Sequence, residues 1–90
     1  MLPNVRKALS QAIIDKMEEE DVNWFTIQKV DIKKHWDCPY GWTTLRRIVK
    51  DPKYMLMPIK QTRILDYFGI EYNFSYGVVT LPKMEDYGEA

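Results

Sequence analysis

Apolar and polar positions recur along the chain with two different periods. From residue 4 to residue 69 the apolar positions recur every three or four residues, which is the spacing of helices that bury one face. From residue 71 to residue 80 they recur at every second residue, which is the spacing of an extended strand. The pattern therefore predicts a mainly α fold of four to five short helices, followed by a C-terminal β-strand or hairpin.

Residues that are typical of helix N-termini and C-termini indicate where these helices begin and end. The expected helical segments are 4–20, 26–36, 43–50 and 58–69. Threonine side chains cap helix N-termini well, so Thr26 opens the second helix and Thr43 or Thr44 opens the third. Gly69 suits the left-handed position that commonly ends a helix, and it closes the fourth.

The extended segment places four apolar or aromatic side chains at alternate positions: Tyr72, Phe74, Tyr76 and Val78. It fits a single strand, and it also fits a short hairpin that turns at residues 75–77. Beyond it, residues 84–90 carry several acidic groups and are expected to form a disordered tail. The expected organisation is one domain, residues 1–83, with that tail attached.

Composition fits a small globular domain and limits its environment. The chain has 90 residues, of which 46% are hydrophobic and 13% are aromatic, enough for a single core. No apolar run approaches the ~18 residues of a membrane span, and the first residues mix charges with apolar side chains, unlike a signal peptide. A single cysteine, Cys38, excludes an internal disulfide and fits a reducing compartment. We therefore expect a cytoplasmic protein that does not enter a membrane.

Charge is distributed unevenly although the formal net charge is zero. Residues 22–63 contain nine Lys or Arg against three Asp, whereas the segments before and after them are both net acidic. A basic block of this kind produces a local positive face when the fold gathers it, and such a face attracts anionic partners. The alternative is that loops scatter the same charges over the whole surface.

The third helical segment carries two adjacent arginines, Arg46 and Arg47, soon after two threonines. Planar guanidinium groups suit guanine edges and phosphates, so the pair favours contact with nucleic acid. The alternative is a solvated helix face on which Asp51 pairs with the arginines. Surface ion pairs of that kind contribute only ~0–1 kcal/mol, so stability alone does not require them.

The same stretch resembles a known family of DNA-binding proteins. The segment 43–48 (Thr-Thr-Leu-Arg-Arg-Ile), a short loop, and the helix end 64–70 (Ile-Leu-Asp-Tyr-Phe-Gly-Ile) resemble the helix-turn-helix of the phage repressor and Cro type, also called lambda-repressor-like. The segment 25–28 (Phe-Thr-Ile-Gln) is similar to the start of that family's second helix. The resemblance covers about residues 5–71, with a turn at 36–42 that is about two residues longer than the family's.

That resemblance implies a sequence-specific transcriptional regulator of phage or mobile-element type that binds double-stranded DNA. It implies that the segment 43–50 is a recognition helix lying in the major groove. The side chains then expected to contact bases or phosphates are Gln28, Lys29, Lys33, Lys34, Tyr40, Thr43, Thr44, Arg46, Arg47, Lys50 and Lys53.

The resemblance also implies a homodimer, because a strand that follows the helices pairs with its twin in Cro-like proteins. The expected dimerisation residues are Tyr72, Phe74, Tyr76 and Val78. A two-fold dimer would set its two recognition helices about one DNA turn, ~34 Å, apart. Two alternatives are that the segment folds back over the core, or that it acts as a wing against the DNA.

A second function class is a protein-interaction module, such as a phage-encoded inhibitor or adaptor that binds a host protein. It would use the helical scaffold and the aromatic C-terminal strand, and the zero net charge is compatible with it. An enzyme is not expected. His35 and Cys38 are the chain's one histidine and one cysteine, too few for a typical zinc site, and no phosphate-binding glycine loop appears. We therefore expect no metal, cofactor or catalytic residue.

Overall fold

A computed structural model describes residues 1–82 of the chain. Within that range four α-helices and one 3-10 helix precede a two-stranded antiparallel hairpin. In chain order the elements are α1 (Pro3–Glu19), the 3-10 helix (Thr26–Lys29), α2 (Ile32–His35), α3 (Trp42–Lys50), α4 (Pro58–Phe68), β1 (Asn73–Ser75) and β2 (Val78–Thr80). The predicted fold class, mainly helical with a C-terminal hairpin, is confirmed. The tail predicted at 84–90 lies outside the described residues.

Helix α1 is the longest element and supplies one wall of the core. Its apolar residues Val5, Leu9, Ile13 and Met17 are spaced four apart, so they form one stripe, and all of them are buried. Pro3 occupies the first turn, where its missing backbone N–H costs little. Helix α1 packs against α3 and α4 and so fixes where the basic part of the chain lies.

The C-terminus of α1 has the left-handed ending that glycine normally provides. The N–H of Val22 donates to the Met17 carbonyl at 2.9 Å, and the N–H of Asp21 donates to the Glu18 carbonyl at 3.1 Å. Asp21 occupies the left-handed position with a φ of 57°, and its carboxylate joins an acidic run at the negative end of the helix dipole. The helix therefore stops at Glu19, one residue before the predicted end.

Asp21→Gly is expected to raise the free energy of unfolding by about 0.5–1 kcal/mol. Glycine adopts a positive φ without strain, and the change removes a charge that opposes the helix dipole. Together these gains exceed the extra freedom of glycine in the unfolded chain. Urea denaturation followed by far-UV circular dichroism measures the difference. Asp15→Gly, in the interior of α1, is the control and is expected to lose about 1 kcal/mol, so equal losses in both variants would contradict the strain at Asp21.

The prediction of one helix over 26–36 is wrong, because the chain breaks it at Val30 and Asp31. Val30 is extended, with a φ of −104° and a ψ of 128°, and it separates the 3-10 helix from the single turn of α2. In a continuous helix Ile27 and Ile32 would lie about 140° apart around the axis, too far to face one core. The extended Val30 lets both isoleucines be buried, and Val30 itself is only partly buried.

Phe25 is the N-cap residue of the 3-10 helix, and the predicted cap, Thr26, is the first residue of that helix. The turn that leads into the helix is held by the side chains of Asn23 and Thr26. The Asn23 side-chain carbonyl accepts the N–H of Phe25 at 2.8 Å and the N–H of Thr26 at 2.9 Å. The Thr26 hydroxyl in turn accepts the N–H of Asn23 at 2.9 Å. This reciprocal arrangement is similar to a capping box, because asparagine and threonine satisfy backbone donors of the turn that precedes the helix.

Gly69 ends α4 as predicted. It is left-handed, with a φ of 70°, and the N–H of Ile70 donates to the Leu65 carbonyl at 2.9 Å. Ile70 packs against the core, so the chain turns back toward the helices at this point. The ending therefore positions the hairpin beside α4.

The C-terminal segment is a hairpin, the second of the two predicted forms. Asn73–Ser75 pairs antiparallel with Val78–Thr80, and Tyr76 and Gly77 form the turn with φ values of 52° and 73°. Two left-handed residues in a two-residue loop are typical of a type I′ turn, which matches the twist of the strands. Val79 is buried where β2 packs on α4, which leaves β1 as the outer strand.

The turn places Val78 on the opposite face of the hairpin from Phe74. Phe74 pairs with Val79 and Ser75 pairs with Val78, and directly opposed residues of an antiparallel pair share a face. Val78 therefore lies on the face of Ser75. The prediction that Val78 shares one apolar face with Tyr72, Phe74 and Tyr76 is wrong, because that prediction assumes one continuous strand.

Candidate nucleic-acid interface

Helix α3 begins at Trp42, one residue before the predicted start, and Gly41 is its N-cap residue. The Gly41 carbonyl accepts the N–H groups of Thr44 at 3.2 Å and Leu45 at 3.3 Å. Neither Thr43 nor Thr44 is therefore the cap, as the sequence predicted, because both lie within the first turn. The exposed Thr43 hydroxyl is left on the outer surface of the helix.

One side of α3 is buried, and the opposite side carries the polar residues that the sequence singled out. Leu45 and Ile48 are fully buried and hold the helix against the core, in which α3 packs on α1. The outward side presents an exposed stripe at positions i, i+3, i+4 and i+7, which we call the α3 stripe: Thr43, Arg46, Arg47 and Lys50. Both arginines are exposed on this side of the helix.

No carboxylate pairs with the α3 stripe within the part of the chain that the structure describes. Among residues 1–82 the ion pairs within 4.0 Å are those of Lys16 with Glu19 and Glu20, on α1. Asp51 was the alternative partner for the arginines, but its carboxylate accepts the backbone N–H of Lys53 at 3.0 Å. Among residues 1–82 the stripe is therefore a cationic surface with no carboxylate within ion-pair distance.

Arg47 leads from the α3 stripe to a cluster of tyrosine and basic residues beside α4. Its guanidinium carbon lies 5.2 Å from the centroid of the Tyr54 ring, which is a favourable cation–π distance. Tyr40 lies in the same region, where its hydroxyl donates to the Lys60 carbonyl at 3.3 Å and stands beside the Arg63 guanidinium. We call Tyr40, Tyr54, Lys60 and Arg63 the tyrosine cluster.

Tyr40 is poorly placed for the phosphate contact that the sequence suggested. Partial burial raises the pKa of Tyr40, and the neighbouring Arg63 guanidinium offsets part of that rise. The phenol is therefore protonated at neutral pH, and its proton is already engaged by the Lys60 carbonyl. A phosphate would have to compete for that proton, so the cationic ends of Lys60 and Arg63 are the groups in this cluster best suited to an anion.

Lys50 leads from the α3 stripe to the segment that follows α1. Its ammonium lies 6.0 Å from the centroid of the Trp24 ring. The next residue, Phe25, is exposed, and the Lys29 ammonium lies 5.4 Å from the centroid of the Phe25 ring. The side-chain amide of Gln28 donates to the Trp24 carbonyl at 3.1 Å. The contact of Lys50 with Trp24 links α3 to this segment, in which Gln28 and Lys29 lie.

Three of the predicted lysines are exposed but are not joined to α3 through their side chains. Lys33 and Lys34 lie on α2, and Lys53 lies in the loop that follows α3. No ion pair or cation–aromatic contact links these side chains to α3 within residues 1–82. Cation–aromatic contacts thus connect the α3 stripe with its two flanks. Within residues 1–82 no contact of this kind connects the stripe with Lys33, Lys34 or Lys53.

Sequence reasoning missed the basic pair on α4. Lys60 and Arg63 are three residues apart on the exposed side of α4, opposite the buried Ile64 and Leu65. The helical spacing that identified the α3 stripe would have identified this pair as well. What the spacing does not reveal is that Tyr40 brings the pair into contact with the turn that precedes α3.

Arg6 holds the C-terminal end of α3 from α1. Its Nε donates to the Ile48 carbonyl at 2.8 Å, and its Nη2 donates to the Val49 carbonyl at 3.4 Å. The last carbonyls of a helix have no partner within the helix and carry partial negative charge, so a guanidinium is a suitable cap. Arg6 therefore helps to fix the direction of the α3 stripe without belonging to it.

Cys38 and His35 are close in sequence but have different environments. His35 is exposed, whereas Cys38 is buried, and burial raises the pKa of the Cys38 thiol. Among residues 1–82 no three His, Cys, Asp or Glu side chains lie together as a metal site would require. None of the helices in that range has both the length and the apolar character that crossing a membrane demands.

Comparisons with known proteins give no relative for this chain: no family model, no curated protein and no solved structure matches it. The resemblance to the phage repressor and Cro type stays a prediction from the sequence. The chemistry of the α3 stripe and its two flanks is therefore the basis for a function.

Proposed function

We propose that this chain is a cytoplasmic DNA-binding protein that regulates transcription, with α3 as its recognition helix in the major groove. The observation that supports the proposal is the α3 stripe, an exposed helix face with three cations and no carboxylate partner among residues 1–82. Exposed cations contribute little to stability, whereas guanidinium groups suit guanine edges and phosphates. The sequence resemblance favours a sequence-specific regulator of phage or mobile-element type.

The size of α3 suits the major groove. An α-helix with its side chains is about 10–12 Å across, which matches the about 12 Å width of the major groove of B-DNA, and the nine residues of α3 extend about 13 Å along the helix axis. A recognition helix presents its N-terminal part to the bases, which would place Thr43 at base edges. Arg46 and Arg47 point about 100° apart around the axis, so one arginine reads a base while the other reaches a phosphate.

The two flanks of the α3 stripe supply cations for the two DNA backbones. Lys60 and Arg63 lie on the side of the tyrosine cluster, and Lys29 lies on the side of Trp24. Phosphate strands border the major groove on both sides, so further cations beside the α3 stripe suit them. A chain of zero net charge binds a polyanion in this way because its acidic excess lies in other segments, 1–21 and 64–90.

Salt-dependent binding to duplex DNA tests the proposed function. Sequences enriched by the protein from a randomised duplex pool provide the ligand, and fluorescence anisotropy measures Kd at several salt concentrations. We expect log Kd to rise linearly with log salt, by about 0.9 for each phosphate contacted. Enriched sequences should bind at least about a thousandfold more tightly than random duplex. Binding that is absent, or that does not depend on salt, would contradict the proposal.

The proposed regulator is a homodimer that forms through β1. The two-residue turn makes Ser75 and Val78 a hydrogen-bonded pair, so Phe74 directs its backbone N–H and carbonyl away from β2. Because β2 packs on α4, the edge at Phe74 is the open one among residues 1–82. Two copies that pair antiparallel across Phe74 would form a four-stranded sheet and satisfy that edge.

Phe74→Pro is expected to convert the dimer to a monomer in analytical ultracentrifugation. Proline removes the N–H that the partner strand requires, while the bonds between β1 and β2 are made by the neighbouring residues and persist. Phe74→Val keeps the N–H and should remain dimeric. A wild-type chain that sediments as a monomer both with and without DNA would rule out this assembly.

A protein-interaction module is the second candidate function, and the tip of the hairpin favours it. Tyr76 is fully exposed, and Phe74 and Val78 are about half exposed. Exposed apolar patches mark sites where proteins associate. A salt-insensitive complex with a host protein, formed through the hairpin in the absence of DNA, would support this function over the first.

A further inference from the structure

Phe25 is an exposed aromatic side chain on a well-defined turn beside the α3 stripe. Its side chain is 69% exposed, although phenylalanine is normally buried. Asn23 and Thr26 hold the turn with three hydrogen bonds of 2.8–2.9 Å, one of which is donated by the N–H of Phe25 itself. The turn thus keeps a large apolar ring in water, where it adds nothing to the core.

The surroundings of Phe25 are cationic. The Lys29 ammonium lies 5.4 Å from the centroid of the Phe25 ring. The preceding residue, Trp24, has the Lys50 ammonium of the α3 stripe 6.0 Å from the centroid of its ring. Within residues 1–82 no carboxylate pairs with either lysine. A partner that covers Phe25 must therefore offer an apolar surface with negative charge on both sides of it.

We propose that Phe25 makes an apolar contact with DNA, against the sugars and base edges next to the stretch that α3 reads. A duplex has the required surface, because deoxyribose and thymine methyl groups lie between two lines of phosphates. A ring on a hydrogen-bonded turn also loses little conformational freedom when it binds. This inference rests on the proposed function and extends it, since the other proposed contacts act through charge and hydrogen bonds.

The salt dependence of binding distinguishes an apolar contact from an ionic one. Phe25→Ala is expected to raise Kd about tenfold at every salt concentration and to leave the salt slope unchanged, because an apolar contact releases no counterions. Phe25→Leu should recover part of the loss. Lys29→Ala is the ionic comparison and should reduce the salt slope by about one. Ile14→Ala removes an exposed apolar side chain of α1 and should leave Kd unchanged.

Three results of the same titrations bear on the inference. A Phe25→Ala variant that keeps wild-type Kd would overturn the inference and leave the proposed function intact. A reduced salt slope in that variant would also overturn it, because the ring would then act through its lysine neighbours. A wild-type protein that binds no duplex DNA would overturn the proposed function together with the inference. Thermal melting of each variant, expected within a few degrees of wild type for exposed residues, shows that the changes act on binding.

Discussion

Replacement of Arg46 and Arg47 together by alanine is expected to weaken the specific DNA complex by roughly a hundredfold or more. One bidentate contact to guanine contributes ~1–3 kcal/mol of discrimination, and each lost phosphate contact lowers the salt slope by about 0.9. Both side chains are exposed, and Arg47 contacts the Tyr54 ring, so the free energy of unfolding should fall by less than about 1 kcal/mol. Anisotropy titrations and urea denaturation of the same samples measure the two effects separately.

Two comparison variants show which property of the arginines matters. The Arg46→Lys/Arg47→Lys double variant keeps both charges but lacks the planar guanidinium that donates two parallel hydrogen bonds. The salt slope should therefore persist, while the preference for the selected DNA sequence should fall. Lys16→Ala removes a cation that already pairs with Glu19 and Glu20 on α1, and it should leave Kd unchanged. An alanine double variant that binds as tightly as wild type would contradict the placement of α3 in the groove.

The sequence predicted the fold well where local geometry settles the structure. The stripe from Val5 to Met17 needs only one helix face, and Gly69 needs only its own conformational freedom. The segment 26–36 was not predictable in this way. The break at Val30 allows Ile27 and Ile32, which would not share a face of one continuous helix, to be buried together. The free energy of this burial depends on the folded core and not on the local sequence.

The hairpin shows what a period of two cannot distinguish. One strand and two short strands give the same alternation over residues 72–80, so the turn has to be identified from its own residues. Asn-Gly is the usual signal for a type I′ turn, whereas this chain has Tyr76-Gly77. The tyrosine weakened the signal for a turn, and the faces of the residues after it, beginning with Val78, were therefore assigned wrongly.

One part of the candidate site was predictable from the sequence and the other part was not. The α3 stripe belongs to one helix, so helical spacing was enough to group its four residues. The flanks join residues that are distant in sequence, as Tyr40 joins the Lys60 carbonyl and Lys50 joins the Trp24 ring. Contacts of this kind depend on how the helices pack, and a single sequence does not encode them in any local pattern. The support of α3 by Arg6 has the same origin.

Arg6→Met is expected to lower the free energy of unfolding by about 2 kcal/mol and the melting midpoint by about 8–16 °C. The variant loses two hydrogen bonds donated by a charged group to the Ile48 and Val49 carbonyls, and it loses a cation at the negative end of the α3 dipole. Methionine keeps much of the apolar stem, so packing should change little. Thermal denaturation followed by circular dichroism measures the shift.

Lys7→Met is the matched control for Arg6→Met, because it removes a neighbouring exposed cation of α1 that donates no such bonds, and it should stay within about 0.5 kcal/mol of wild type. Arg6→Lys should fall between wild type and Arg6→Met, since it keeps the charge at the helix end but cannot donate to both carbonyls with the geometry of a guanidinium. Well below the melting midpoint Arg6→Met should still bind DNA, because the α3 stripe is intact. Substitution of Arg46 and Arg47 should therefore weaken DNA binding with little effect on stability. Substitution of Arg6 should lower stability with little effect on DNA binding. Equal melting midpoints for Arg6→Met and Lys7→Met would show that α3 keeps its position without the guanidinium.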